Sequence, residues 1–477
     1  MEGADAAAAT VAPRRPVVLY PSPGMGHLVS MIELGKILGA RGLDVTIVVT
    51  DPPYNTGATG PFLAGVTAAN PSISFHRLPK VGRLEPVATK HHEALAFEVI
   101  RVSNLPLREF LVGANPAVLI VDFFCCIALS MARELGVPSY FFFTSGAEVF
   151  AFFLHLPLVH VPGIPPFPAT HAVLPLMECE DAAYHGFLKI SAELCSTQGV
   201  IINTFRWLEQ CAVEAVAAGR CTPPGLPTPP LYCIGPLIKT EEVTGSGAEE
   251  CLAWLDTHPN ASVVFLSFGS IGRFSAEQIR EVASGLEASG QQFLWVVRAP
   301  PSDDPVKKFK KPPGPDLDAL LPEEFLARTK GETDRVTKGR GLVVKSWAPQ
   351  RDVLAHPSEG GFATHYGWNS VLEAVMEGVP MLAWPLYAEQ RLNRVFLEKE
   401  LQLAVTIEGY DNDKELVGAE EVAAKVRWLL DSDGGRVLRA RTLEAMRRAR
   451  DALREGGESE ATLAGLLDNW RRASSSS

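Results

Sequence analysis

Two groups of side chains in this 477-residue chain have the types and spacing to do chemistry. The denser one runs from Trp347 to Gln390, WAPQRDVLAHPSEGGFATHYGWNSVLEAVMEGVPMLAWPLYAEQ. Within it, Gly360 to His365 reads as a short buried strand and Asn369 to Met376 as a helix. The turn between them, His365-Tyr366-Gly367-Trp368-Asn369-Ser370, is therefore a helix N-terminus. Unpaired backbone N–H groups and the positive end of the helix dipole gather there, which suits a diphosphate. Asn369 and Ser370 add side-chain donors, and Gly367 lets the backbone come close. Trp347 follows the apolar run Gly341-Leu342-Val343-Val344 and can offer its face to a flat ring. Glu373, one turn into the helix, can accept a pair of hydroxyls. Glu389 and Gln390 follow a strand, Pro380 to Trp384, at the end where open α/β sheets bind ligands. A plainer reading exists for several of these. Ser370-x-x-Glu373 is also a capping box, and Trp347 and Trp368 are also residues of the core or interface kind.

The second group is His27 and Asp122. His27 opens a helix (His27 to Ala40) after the strand Pro16 to Tyr20 and the turn Pro21-Ser22-Pro23-Gly24-Met25-Gly26. Asp122 closes the strand Ala117 to Val121 on the same edge of the sheet. If the two side chains meet, Asp122 holds the imidazole tautomer and stabilises its protonated form, as in a catalytic triad. The alternative is that each residue caps its own helix.

The Trp347–Gln390 box, with GMGH and VDFF around His27 and Asp122, resembles the plant secondary-product glycosyltransferases, which move a sugar from a UDP-sugar to a small acceptor. The likeness covers the chain from Val17 to about Arg472. It implies an α/β fold of the GT-B kind, two facing Rossmann-like domains with parallel doubly wound sheets. It also implies an inverting, metal-independent transfer with His27 as general base and Asp122 behind it. A phenol's pKa is about 10 and an unperturbed histidine's about 6.5, so the base need only draw the proton as the bond forms. By the same resemblance Trp347 stacks on uracil, flanked by Ala348, and Gln350 lies near the ribose. Glu373 takes the ribose hydroxyls, while Ser270, His365, Asn369 and Ser370 hold the diphosphate. Trp368, Glu389 and Gln390 hold the sugar. Gln at the final position goes with glucose, and Trp368 stands where glucuronosyl lineages carry Arg, so UDP-glucose is the expected donor. Two residues depart from the family pattern: Tyr366 replaces the usual Cys, and Glu389 the commoner Asp. Bulk at Tyr366 is expected to affect turn packing or donor affinity modestly.

The favoured acceptor is a flavonoid, chalcone or simple phenol, with Phe123, Phe124 and the Phe141–Phe143 run (Phe143 above all) as candidate ring clamps. The Phe141–Phe143 run is equally readable as core. Terpenoid or hormone acceptors and O-, N- or C-linkage stay open. A dehydrogenase is the rival reaction class, but after Gly24-x-Gly26 the third fingerprint position is Val29. A non-catalytic sugar-nucleotide-binding protein is a third reading, against which His27 and Asp122 speak. The DxD pattern of metal-dependent transferases occurs at Asp316-x-Asp318, Asp411-x-Asp413 and Asp431-x-Asp433, none directly after a strong strand. No metal and no cofactor beyond the UDP-sugar co-substrate is expected.

Composition agrees with a globular enzyme. Hydrophobic residues make up 47%, with mean hydropathy +0.09, enough for large cores. A net charge of −11 and pI near 5.6 argue against a nucleic-acid groove or an anionic membrane as main partner. The eight cysteines form no CxxC pair or zinc-like spacing, and no secretory signal is visible, so a cytoplasmic monomer with reduced thiols is expected. The apolar stretch Ser139 to Met177 carries Glu148, His155, His160 and His171 and is broken by prolines, so it reads as a buried strand and a pocket-lining loop. Alternating strands and helices then divide the chain into a tail (1–15), an acceptor-binding domain (16–240) and a linker (241–252). A donor-binding domain (253–456), a helix packing back on the first domain (457–472) and a second disordered tail (473–477) follow. The Pro/Lys/Asp-rich segment 299–320 reads as an exposed insertion.

Overall fold

The computed structural model describes residues 15–52, 59–82, 84, 89, 91–156, 161–239, 246–301, 314–329, 339–410 and 415–475. The Lys307–Lys311 run, the 411–413 DxD pattern and most of the expected N-terminal tail lie outside them.

The chain builds two parallel sheets in succession. The first contains β1 (Val17–Tyr20), β2 (Val45–Val49), β3 (Ile73–Arg77), β4 (Val118–Asp122), β5 (Ser139–Phe143), β6 (Val200–Ile202) and β7 (Leu231–Cys233). The second contains β8 (Val263–Ser267), β9 (Gln292–Val297), β10 (Gly341–Lys345), β11 (Glu359–Thr364), β12 (Met381–Ala383) and β13 (Ala404–Thr406). Their strand orders are β3-β2-β1-β4-β5-β6-β7 and β10-β9-β8-β11-β12-β13. Every residue of β1, β4, β5 and β8 is buried, because helices cover both faces; such strands read as unbroken apolar runs, not alternating ones. Burial of each such Val, Leu or Phe side chain contributes roughly 1.5–3 kcal/mol.

Each sheet reverses its order once, between β1 and β4 and between β8 and β11. At such a switch point the loops leaving the two strands diverge to opposite faces and open a crevice at the strands' C-terminal ends. His27 follows β1 and Asp122 ends β4; Ser270 follows β8 and His365 follows β11. His27 and Asp122 therefore sit at one crevice, and Ser270 and His365 at the other.

Several local expectations change. The helix after β1 is Met25–Ala40, so His27 lies inside its first turn instead of opening it. Within the apolar stretch, Ala147–His155 is a helix with all nine residues buried, where a loop was expected. The segment read as linker carries the helix Ser246–Leu255, whose Cys251 and Leu255 pack in a core of the second half. The last helix, Glu458–Ser475, runs into the segment expected to be a disordered tail. Its Leu463, Leu466, Leu467 and Trp470 share a buried core with residues of β1, β2, β4 and β5, so this helix lies against the first half. All eight cysteines are free thiols, six of them buried. No helix among the described residues is long and apolar enough to cross a membrane.

Candidate active site

In the first crevice, His27 Nδ1 lies 2.8 Å from Asp122 Oδ2; the aspartate is fully buried and the histidine side chain 28% exposed. Asp122 is held from two sides, by the Ser22 N–H on Oδ2 (3.1 Å) and the Phe123 N–H on Oδ1 (2.6 Å). The second bond also makes Asp122 the cap of the short turn Phe123–Cys125, so the capping role and the pairing with His27 coexist. Ser22 Oγ accepts from the Phe124 N–H at 2.9 Å, tying the β1 and β4 loops together. Thr144, one residue beyond β5, places Oγ1 3.3 Å from His27 Nδ1. With Nδ1 so engaged, Nε2 is the nitrogen left to face the cleft. Burial pulls the His27 pKa down, but the charge and hydrogen bond of Asp122, with the charge of Glu389 across the cleft, hold it above its ordinary 6.5.

The candidate aromatic clamps separate by burial. Phe143 is 2% exposed and Phe123 8%, packed with Phe150, Phe153 and Phe187 in the first core. Phe143 is thus a core residue, which corrects its reading as a cleft residue. Phe124 is half-buried, with its ring 5.8 Å from the His27 ring, edge to face.

In the second crevice the helix Trp368–Glu377 starts at Gly367, its N-cap, with no side-chain cap. The N–H groups of its first turn fall outside the i→i−4 ladder, and Val371 makes the first such bond, to the Gly367 carbonyl. Ser370 and Glu373 sit inside the helix, so they do not form the capping box their spacing allows. Instead, Gln350 Nε2 donates to both, at 3.0 Å to Ser370 Oγ and 2.6 Å to Glu373 Oε2. Trp347 is 44% exposed beside them, while Ala348 is buried. His365 is buried, and burial, with the charge of Arg298, pushes its pKa down to about 3. Burial and Arg298 thus favour the neutral ring. A Cβ at Gly269 or Gly367 would lie 2.5 or 2.6 Å from His365 Nε2, so only glycine lets these loops close on the ring. Ser270, next to Gly269, is exposed.

Trp368 is buried, and its indole N–H donates to the Asn203 carbonyl of the first half at 2.7 Å. Its ring is a wedge between the halves, not an open surface. Gln390 is buried with Oε1 accepting from the Leu386 and Tyr387 N–H groups at 2.8 and 2.9 Å. Glu389 Oε1 accepts from Ser145 Oγ at 3.2 Å, and Asn369 Oδ1 from Ser30 Oγ at 3.1 Å. Ser30 lies on the same helix as His27, so the two crevices face each other across one cleft. Tyr366 turns away from that cleft. Its backbone is left-handed (φ 67°), its ring is fully buried in the second core, and Asn393 Nδ2 holds its carbonyl at 2.9 Å. Of the DxD patterns, Asp316 caps the short helix Leu317–Leu320, Asp431 accepts from Gln291, and Asp433 pairs with Arg436.

Ser22, Thr144, Ser145 and Ser30 were not singled out from the sequence. The available signal was position: Ser22, Thr144 and Ser145 all lie just past the C-terminal end of a first-sheet strand.

Two parallel-sheet α/β halves, each with a crevice at its switch point, face each other across this cleft. The family described as UDP-glucoronosyl and UDP-glucosyl transferase matches residues 244–409. UDP-glycosyltransferase 88B1 of Stevia rebaudiana is 42% identical over 475 residues, covering 95% of this chain and 98% of that protein. A phloretin 2'-O-glucosyltransferase of Malus domestica is 41% identical, covering 95% and 99%. The solved structure of Phytolacca americana UGT2 with UDP-2fluoro-glucose and pterostilbene superposes with TM-score 0.82 at 34% identity, covering 96% of this chain and 100% of that one. The chain belongs to the plant UDP-glycosyltransferase family, enzymes of the GT-B fold that transfer a sugar from a UDP-sugar.

Proposed function

We propose that this enzyme transfers glucose from UDP-glucose to a hydroxyl of a plant phenolic, with inversion, in one displacement assisted by His27 and Asp122. The observation that carries the reading is the 2.8 Å His27–Asp122 pair at the first switch point, opposite the uncapped start of Trp368–Glu377. As the acceptor oxygen attacks the sugar's anomeric carbon, its proton passes to His27 Nε2, and Asp122 stabilises the imidazolium that results. The bond from that carbon to the diphosphate breaks on the opposite face, and UDP leaves with the electron pair. General-base help of this kind contributes about 10²–10⁴-fold.

The helix start at Gly367, Trp368, Asn369 and Ser370, with Ser270 and neutral His365, receives the diphosphate charge that a metal ion carries in other transferases. That arrangement supports a metal-independent reaction. Trp347 offers its exposed face to uracil, beside Ala348. The Gln350–Glu373 pair supports the ribose assignment, since the bond from Gln350 orients the carboxylate for two hydroxyls. Glu389 and Gln390 face the sugar, together with the backbone at Trp368. A phenolic acceptor is supported by the Malus relative named for phloretin and by the Phytolacca neighbour solved with pterostilbene. Phe124 is the aromatic side chain placed to meet such a ring.

The test is UDP release from UDP-glucose with EDTA present, across flavonoids, simple phenols, terpenoid alcohols and hormones, recording product masses. Hexose addition to phenolics, undiminished by EDTA, is expected. Transfer that needs a divalent cation, or that occurs only on non-phenolic acceptors, would contradict the reading.

A further inference from the structure

One buried carboxylate has no part in the chemistry above. Glu209 is 1% exposed and ends a strap, Asn203 to Glu209, that leaves β6 and crosses to the second half. Along the strap, Asn203 accepts the Trp368 indole N–H, and Phe205 and Leu208 pack among second-half core residues. Burial pushes the Glu209 carboxyl up to about 7, so keeping an acid here is costly to the fold. Its Oε1 accepts the N–H of Glu148 at 3.0 Å, in the first turn of Ala147–His155. The same oxygen presses on Gly146: a Cβ there would lie 2.4 Å from it and 2.9 Å from Trp368 Cη2. Gly146 is therefore clamped between a carboxylate of the first half and a ring of the second. The two residues just before the clamp touch the reacting centre, Thr144 on His27 Nδ1 and Ser145 on Glu389 Oε1.

We propose that Glu209 is a positioning residue for glycosyl transfer, holding Thr144-Ser145-Gly146 in the register that sets His27 against the sugar carboxylate Glu389. It acts through those three residues and touches neither substrate. A misplacement of about 1 Å in such a segment can cost on the order of 10²-fold in rate, whereas loss of a helix N-terminal acceptor alone lowers stability and leaves the chemical step intact.

The inference rests on the roles assigned to His27 and Glu389, and the experiment separates the two levels. Glu209→Ala, Glu209→Gln, Gly146→Ala and His27→Ala are compared by kcat, acceptor KM and UDP dissociation constant. Glu209→Ala is expected to lower kcat about 10- to 100-fold with UDP affinity unchanged. Glu209→Gln keeps a carbonyl acceptor for the Glu148 N–H and should recover kcat to within a few-fold of the parent. Gly146→Ala, which spreads the same clamp without removing the acid, should reproduce the kcat loss. Full kcat in Glu209→Ala or in Gly146→Ala, or a loss in Glu209→Gln as deep as in Glu209→Ala, would overturn the positioning role. Full turnover by His27→Ala would instead overturn the catalytic reading on which it rests.

Discussion

His27 must be unprotonated to draw a proton, and its neighbours oppose that. Burial favours the neutral ring, but the Asp122 charge and hydrogen bond and the Glu389 charge outweigh it and hold the pKa above 6.5. In the proposed reaction the neutral ring is lost as pH falls, so the acid limb of kcat/KM is expected above 6.5. Asp122→Asn removes the charge that raises the pKa, so the limb should move to lower pH while kcat falls by at least about 10²-fold. A pH–rate profile with the limb unmoved would show that another group titrates there. His27 and Asp122 were legible in the sequence because each follows or ends an apolar strand. Ser22 and Thr144 were not. Their roles depend on which strands are neighbours, here β1, β4 and β5, and one chain read in order does not reveal that. Tyr366 was read as a residue beside the phosphate turn. Its backbone is there, but its left-handed φ sends the ring into the second core, where burial, with the charge of Glu398, raises its phenol well above 10.

Among the elements, the strands read as Pro16–Tyr20, Ala117–Val121, Gly360–His365 and Pro380–Trp384 lie within a residue of β1, β4, β11 and β12, because strands covered on both faces leave continuous apolar runs. Helix identity was harder where apolarity was complete. Ala147–His155 is buried all round, so it has no polar face to betray a 3.6-residue period, and it was read as a loop. Glu458–Ser475 kept its period, and Leu463, Leu466, Leu467 and Trp470 marked its buried face. The Trp470 ring lies 5.3 Å from Tyr140 on β5, so the end of the chain helps close the first half's core. Trp470→Ala should destabilise that half by about 3–5 kcal/mol. Chemical denaturation followed by near-UV signals checks this, and an unchanged midpoint would mean the helix contributes little. The Ser370-x-x-Glu373 spacing shows the opposite failure. It fits a capping box, yet the N-cap is Gly367, three residues before Ser370, leaving both side chains to Gln350.

Across the whole molecule, function depends on the seam between two sheets that each fold around their own cores. Ser30 to Asn369, Ser145 to Glu389 and Asn203 to Trp368 all cross it within 3.2 Å. The first member of each pair comes from the first half, which carries His27 and Asp122, and the second from the half that carries the Trp347–Gln390 segment. In the proposed reaction the dyad and the helix terminus are brought to bear on one anomeric carbon only because these bonds set the facing geometry. In the proposed reaction His27 draws the acceptor proton while the second crevice binds UDP independently of it. The most direct measurement is His27→Ala turnover with UDP-glucose and a phenolic acceptor, alongside its UDP dissociation constant. A loss of at least about 10²-fold in kcat is expected, with UDP binding unchanged. Parent-level turnover in that variant would contradict it.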